Sequence, residues 1–249
     1  MYLIRSARWD DPAELRQRPE LWRRVRRFNL PVQLALAAGE EVAAAAEDPA
    51  RAALLSLAPC CSGSPEFFDA ARLFGTGNNG ARFRTPHVNP ILTLHAVDNL
   101  ALSALAITLG NQAYGLGLGG GAGQGWVALE VAWERLAEER EAEALVMAGD
   151  QDAASPANPA NTGGLAVALL FAHRPQPYPP LGRTVRLAAV SRPPATEPAE
   201  LEARPHAAAG LAALLAALAE VSSTGRWVYR VPAEHGDGRG CPELAWEVE

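Results

Sequence analysis

A chain of 249 residues is long enough to bury a full core, and 49% hydrophobic against 20% charged residues is the balance of an ordinary globular domain. The formal net charge of −6 argues against nucleic acid as the main partner, because that binding rests on basic surface. All 22 basic residues are arginine, so no lysine is present to form a Schiff base, act as a general base or hold a phosphate.

Tyr2–Ile4 reads as a short strand, and Met1 to Asp11 lacks the apolar core of a signal peptide. Two polar-to-amphipathic helices are expected near Pro12–Arg26 and Pro31–Glu47, split at Asn29-Leu30-Pro31. Arg23, Arg24, Arg26 and Arg27 form a dense basic cluster on an otherwise acidic chain. A solvated or salt-bridged helix face is one reading of it, and a dock for an acidic partner is the other. Ala52–Leu57 is a buried strand running into Pro59-Cys60-Cys61-Ser62-Gly63-Ser64, and Pro65 suits the first turn of a helix to about Phe74. Cys60 or Cys61 is the alternative nucleophile of the chain, although no G-x-S-x-G frames it. An odd count of three cysteines, two of them adjacent, fits a reducing cytoplasm better than a disulfide framework.

Gly75–Pro90 is a loop. Ile91–Leu109 follows as a long, nearly all-round apolar helix closed by Gly110 and Asn111, expected to be buried on most faces. Its His95, Asp98 and Asn99 are satisfied core polar residues or interface groups. Ala113–Leu118 is a strand candidate leading into seven mostly glycine residues, Gly119–Gly125. The next helix, about Gly125 to Glu139, carries Trp126, Leu129, Trp133 and Leu136 on one face and Glu130, Glu134, Glu138 and Glu139 on the other. Ala144–Ala148 is a buried strand ending at Gly149-Asp150. Leu165–Phe171 and Thr184–Val190 are two further strands joined through a Pro-rich span.

Ala207–Val221 is an alanine-rich helix with Leu211, Leu214, Leu215 and Leu218 toward a core, and Trp227–Val231 and Leu244–Val248 are closing strands. Strands alternating with helices imply an α/β sheet with helices on both faces, a single domain over 1–249 with 191–205 as its linker candidate. No apolar run is long and unbroken enough to span a bilayer, and the five histidines show no metal-binding spacing.

Three readings compete for Ala113–Gly125. Gly115, Gly117 and Gly120 satisfy G-x-G-x-x-G, but the helix begins about five residues too late for a dinucleotide loop. A second reading is structural: Ala113, Gly115, Gly117 and Gly119 share one face of an extended strand, where another backbone or helix can approach closely. In the third, a strand, a small-residue turn and a helix place a nucleophile at a helix N-terminus, whose dipole stabilises a thiolate or oxyanion.

From Pro86 onwards the order of buried helix, short strand, glycine turn, amphipathic helix and strand resembles the N-terminal half of the β-ketoacyl synthases, the condensing enzymes of fatty-acid and polyketide synthesis. Gly125 matches the glycine after their nucleophile, Ala128-Leu129 and Ala132 match the helix, Ala148-Gly149 the strand end, and Gly163-Gly164-Leu165-Ala166-Val167-Ala168 a later strand. The resemblance covers roughly residues 25–190. It places Ala122 at the nucleophile position, and a slip of one residue substitutes Gly121 or Gly123, neither more reactive.

The resemblance implies half of a thiolase-like fold, a mixed sheet covered by helices on both faces. With no nucleophile, no lysine and no room for the family's second catalytic half, it implies a non-catalytic subunit of the chain-length-factor type that needs no cofactor. The implied partner is a second copy or a full-length synthase, paired across a seam at Ala113, Gly115, Gly117 and Gly119. An acyl carrier protein on Arg23, Arg24, Arg26 and Arg27 is a further implied partner. The rival readings are an independent acyltransferase or hydrolase using Cys60 or Cys61, and a structural homodimer without a pathway role.

Overall fold

The computed structural model describes residues 1–58, 99–119, 124–151, 163–175, 185–189, 199–202, 207–220, 225–230 and 243–248. Nine strands among them form one sheet: β1 Tyr2–Trp9, β2 Ala53–Leu57, β3 Gly115–Leu118, β4 Glu143–Gln151, β5 Gly164–Ala172, β6 Val185–Ala189, β7 Ala199–Glu202, β8 Gly225–Arg230 and β9 Glu243–Val248. Their order is β3-β2-β4-β5-β1-β6-β9-β8-β7. β3, β2 and β4 run parallel, as strands linked through helices must, while β5 returns antiparallel between β4 and β1.

Alternation along the central strands sorts side chains between two cores. Leu55, Leu57, Val146, Ala148, Val167, Leu169 and Phe171 face one helical layer, α5 (Gln124–Ala137) and α6 (Ala207–Glu220). Leu54, Leu145, Met147, Ala168 and Leu170 face the other, α3 (Leu30–Ala43) and α4 (Leu100–Leu109). With both faces covered, these strands are apolar on both sides rather than amphipathic. Two short helices, α1 (Pro12–Gln17) and α2 (Pro19–Val25), flank α3, and the Asp11 side chain caps α1 by accepting from the Ala13 N–H at 2.7 Å.

The expected mixed sheet with helices on both faces is present. Boundaries differ in instructive ways. The first strand runs on past the expected Ile4 to Trp9; the exposed Arg5 and Arg8 break its apolar run, so a hydrophobicity count stops short of the end. Pro19 divides the expected Pro12–Arg26 helix in two, since its ring removes a backbone donor. β7 lies inside the span read as a linker, and pairs in parallel with β8. The expected helix over Pro65–Phe74, the loop 75–90 and the first part of Ile91–Leu109 lie outside the described residues.

The largest correction concerns α4. Its sequence, Leu-Ala-Leu-Ser-Ala-Leu-Ala-Ile-Thr-Leu, is almost wholly apolar, yet only Ala101 and Leu105 are buried. Ile107 is 81% exposed. The helix lies on α3 and against the glycine face of β3, and leaves Ser103, Ile107 and Thr108 exposed. Gly110 ends it in the left-handed conformation (φ 63°), and Asn111 then staples the turn to the start of β2. Its Nδ2 donates to Pro49 O and Ala52 O at 2.8 Å each, and its Oδ1 accepts from the Ala113 N–H at 3.0 Å.

Candidate functional site

The glycine strand β3 is the last strand at its end of the sheet among the described residues. The carbonyls of Tyr114 and Leu118 accept from Leu54 N and Ala58 N of the β2 segment at 2.9 and 2.8 Å. By the two-residue period, Gly115 and Gly117 turn their own N–H and C=O groups to the open edge. Tyr114, Leu116 and Leu118 pack against the α5 side. The other face meets α4: a Cβ on Gly115 would lie 3.7 Å from Leu102, and one on Gly117 only 3.0 Å from the Asn99 Cβ. Close helix approach therefore accounts for Gly117. A Cβ on Gly119 would meet nothing within 4 Å, so packing gives no reason for that glycine.

β2, β3 and β4 all finish at one end of the sheet, and α5 begins there. Open α/β sheets receive ligands at this end. Gly125 is buried in the first turn of α5. Ala122, Gly121 and Gly123 lie outside the described residues, as do Cys60, Cys61, His95 and Asp98. Asn99 is described and sits at the start of α4, its side chain making no cap bond there. Ser56 of β2 is fully buried beside Gly117, and its hydroxyl has no hydrogen-bond partner among the described residues.

Two polar features were not singled out from the sequence. Asp150 ends the apolar run of β4 but is only 4% exposed, and its Oδ2 accepts from the Ala208 N–H of α6 at 2.7 Å. At the opposite end of β4, Glu143 is buried, and its carboxylate accepts from Glu47 N at 3.1 and 3.0 Å and from Asp48 N at 3.4 Å. Burial pushes its pKa above the usual glutamate range against the lowering effect of those bonds. It borders a cavity of about 350 Å³ with Glu47, Glu139, Glu141, His173 and Arg174. No group of three metal-ligating side chains is arranged for an ion among the described residues.

The arginine cluster falls at the end of α2. Arg23 pairs with Glu20 at 2.9 Å and Arg24 with Glu40, whereas exposed Arg26 makes no ion pair among the described residues. Arg24 and Arg27 also line a groove of about 290 Å³ with Val25, Phe28, Leu36, Leu100, Ala104 and Ile107. The basic cluster and the exposed face of α4 thus share one groove. No helix of the described residues is long and apolar enough to cross a membrane.

No family model matches the chain, and no curated protein matches it. Solved structures do. A chain of the ketosynthase (ApeO) in complex with its chain length factor (ApeC) from Xenorhabdus doucetiae is 12% identical with a TM-score of 0.51, covering 89% of this chain and 79% of that one. The ishigamide ketosynthase/chain length factor is 16% identical with a TM-score of 0.56, covering 90% and 82%. The chain therefore has the thiolase-like fold of the ketosynthase and chain-length-factor structures, as its motifs led one to expect.

Proposed function

We propose that the chain is a non-catalytic ketosynthase-like subunit of the chain-length-factor type, acting by pairing with an active ketosynthase in polyketide- or fatty-acid-type synthesis. The observation that carries this reading is that β3 is an edge strand among the described residues, beside the apolar α4 with its exposed Ile107. An edge strand with unpaired backbone groups is a liability that proteins ordinarily cover, and a partner's strand covers it by extending the sheet. Ile107, 81% exposed on the outer side of α4, is an apolar residue of the kind that interface cores bury.

The absence of chemistry at the elbow supports the same reading. Ala122 stands at the nucleophile position, and an alanine methyl cannot carry an acyl group. The subunit's contribution in this reading is shape: it completes the wall of the partner's acyl tunnel and bears on product length without touching the reacting atoms. The arginines at the end of α2 are the proposed contact for an acidic carrier protein.

Co-expression with a full-length ketosynthase tests the proposal. The expected result is a one-to-one complex by light scattering, with the ketosynthase inactive or altered in product length when purified alone. A chain that stays monomeric next to a fully active ketosynthase overturns it. So does stoichiometric acylation of Cys60 or Cys61 by an acyl thioester, which would make the chain an acyltransferase in its own right.

A further inference from the structure

Asp150 is a carboxylate 4% exposed at the carboxyl end of β4, in register with Leu165 of β5. A buried carboxylate is stable only where charge-assisted hydrogen bonds replace its water. Asp150 Oδ2 accepts at 2.7 Å from the backbone N–H of Ala208, 58 residues further along the chain and fully buried. Ala208 is the second residue of α6, so the bond ends on one of the four donors that a helix N-terminus leaves without an intrahelical acceptor. That end carries about half a positive charge, and α6 supplies no acidic residue of its own in the first turn.

The location gives the contact its meaning. α5 leads from the carboxyl end of β3 to the amino end of β4, so it too starts at this end of the sheet. Two helix N-termini therefore open toward the end where the parallel strands finish and where ligands of α/β proteins are held. One is already occupied by a side chain of the protein.

We propose that Asp150 is an internal counter-ion. It fills the anion-receiving end of α6, docks that helix onto β4, and closes this end to the carboxylate or phosphate of any external ligand. The inference rests on the fold and on this contact alone, and holds whether or not the chain pairs with a ketosynthase.

Two variants of the full chain test it. Asp150→Asn keeps the volume and an acceptor but removes the charge. Its Tm is expected to fall by about 5 °C, and amide exchange in the peptides of α6 to accelerate at least tenfold relative to wild type. Asp150→Gly vacates the position, and sodium formate is expected to raise its Tm along a saturable curve that sodium chloride does not reproduce, with no such response in wild type. Wild-type Tm and α6 exchange in Asp150→Asn overturn the proposal. So does a formate response in Asp150→Gly no larger than that of wild type. Should Asp150→Gly not fold, Asp150→Asn decides alone.

Discussion

Gly149 of β4 lies directly beneath the carbonyl oxygen of Pro31 in the first turn of α3, with the Ala35 methyl over the same point. A Cβ at position 149 would fall 2.9 Å from that of Ala35 and deeper still into the Pro31 carbonyl. The sheet and its outer helix are in contact here through backbone, and neither side has a flexible side chain to withdraw. Gly149→Ala is expected to destabilise the chain by about 2–4 kcal/mol, since α3 must lift along its first turn. Urea denaturation checks this, and a loss under about 1 kcal/mol would mean that α3 slides freely on β4.

On α4 the expectation is the reverse. Ile107→Glu at an 81% exposed position should leave the stability of the isolated chain within about 0.5 kcal/mol of wild type. Retention of a co-expressed ketosynthase should nevertheless drop at least tenfold, because a charge is placed at the centre of the proposed interface. Denaturation of the free chain and a pull-down, run side by side, separate the two effects.

The arginine cluster offers a third expectation. Arg26→Glu and Arg23→Glu should weaken association with an acidic carrier protein, and the wild-type affinity should fall as salt rises from 50 to 200 mM. Arg24 is a poorer choice, because its pairing with Glu40 ties α2 to α3 and its loss confounds binding with folding. Fluorescence anisotropy with a labelled carrier protein reads out both changes. An affinity indifferent to salt and to both charge reversals removes the carrier protein from this face.

Glu143 sets a pH dependence with a definite sign. Burial holds its folded-state pKa above that of an unfolded-chain glutamate, so between the two values the native chain binds more protons than the unfolded one. Its contribution is complete below the unfolded pKa and is lost as pH rises through the folded pKa. Glu143→Gln stays neutral throughout while its amide oxygen still accepts from Glu47 N. Its stability relative to wild type should therefore increase as the pH is raised from 4 to 7. Denaturation curves across that range check it, and a difference that shrinks with rising pH would mean that the bonds from Glu47 and Asp48 outweigh burial.

Much of the fold was legible because it is local. The runs Leu54-Leu55 and Leu145-Val146 announce strands buried on both faces, and Trp126, Leu129 and Leu136 repeat at helical spacing along the buried side of α5. What escaped depends on neighbours remote in sequence. Asp150 reads as the polar end of a strand until Ala208 is brought to it. The apolar composition of α4 signals burial, but composition does not say whether the covering surface belongs to the same chain. The glycines of β3 were legible as a close-approach face; that α4 takes up the approach at Gly117 needed the fold.

The position of β1 has a consequence for how the chain is made. It precedes every other described strand in sequence, yet its neighbours in the sheet are β5 and β6, and its Trp9 pairs with Ala166. Met1 joins the two parts of the sheet through backbone bonds with Leu187 at 2.9 and 2.8 Å. An apolar strand must therefore wait for about 160 further residues to leave the ribosome before it can pair, a separation that slows folding and prolongs exposure to aggregation.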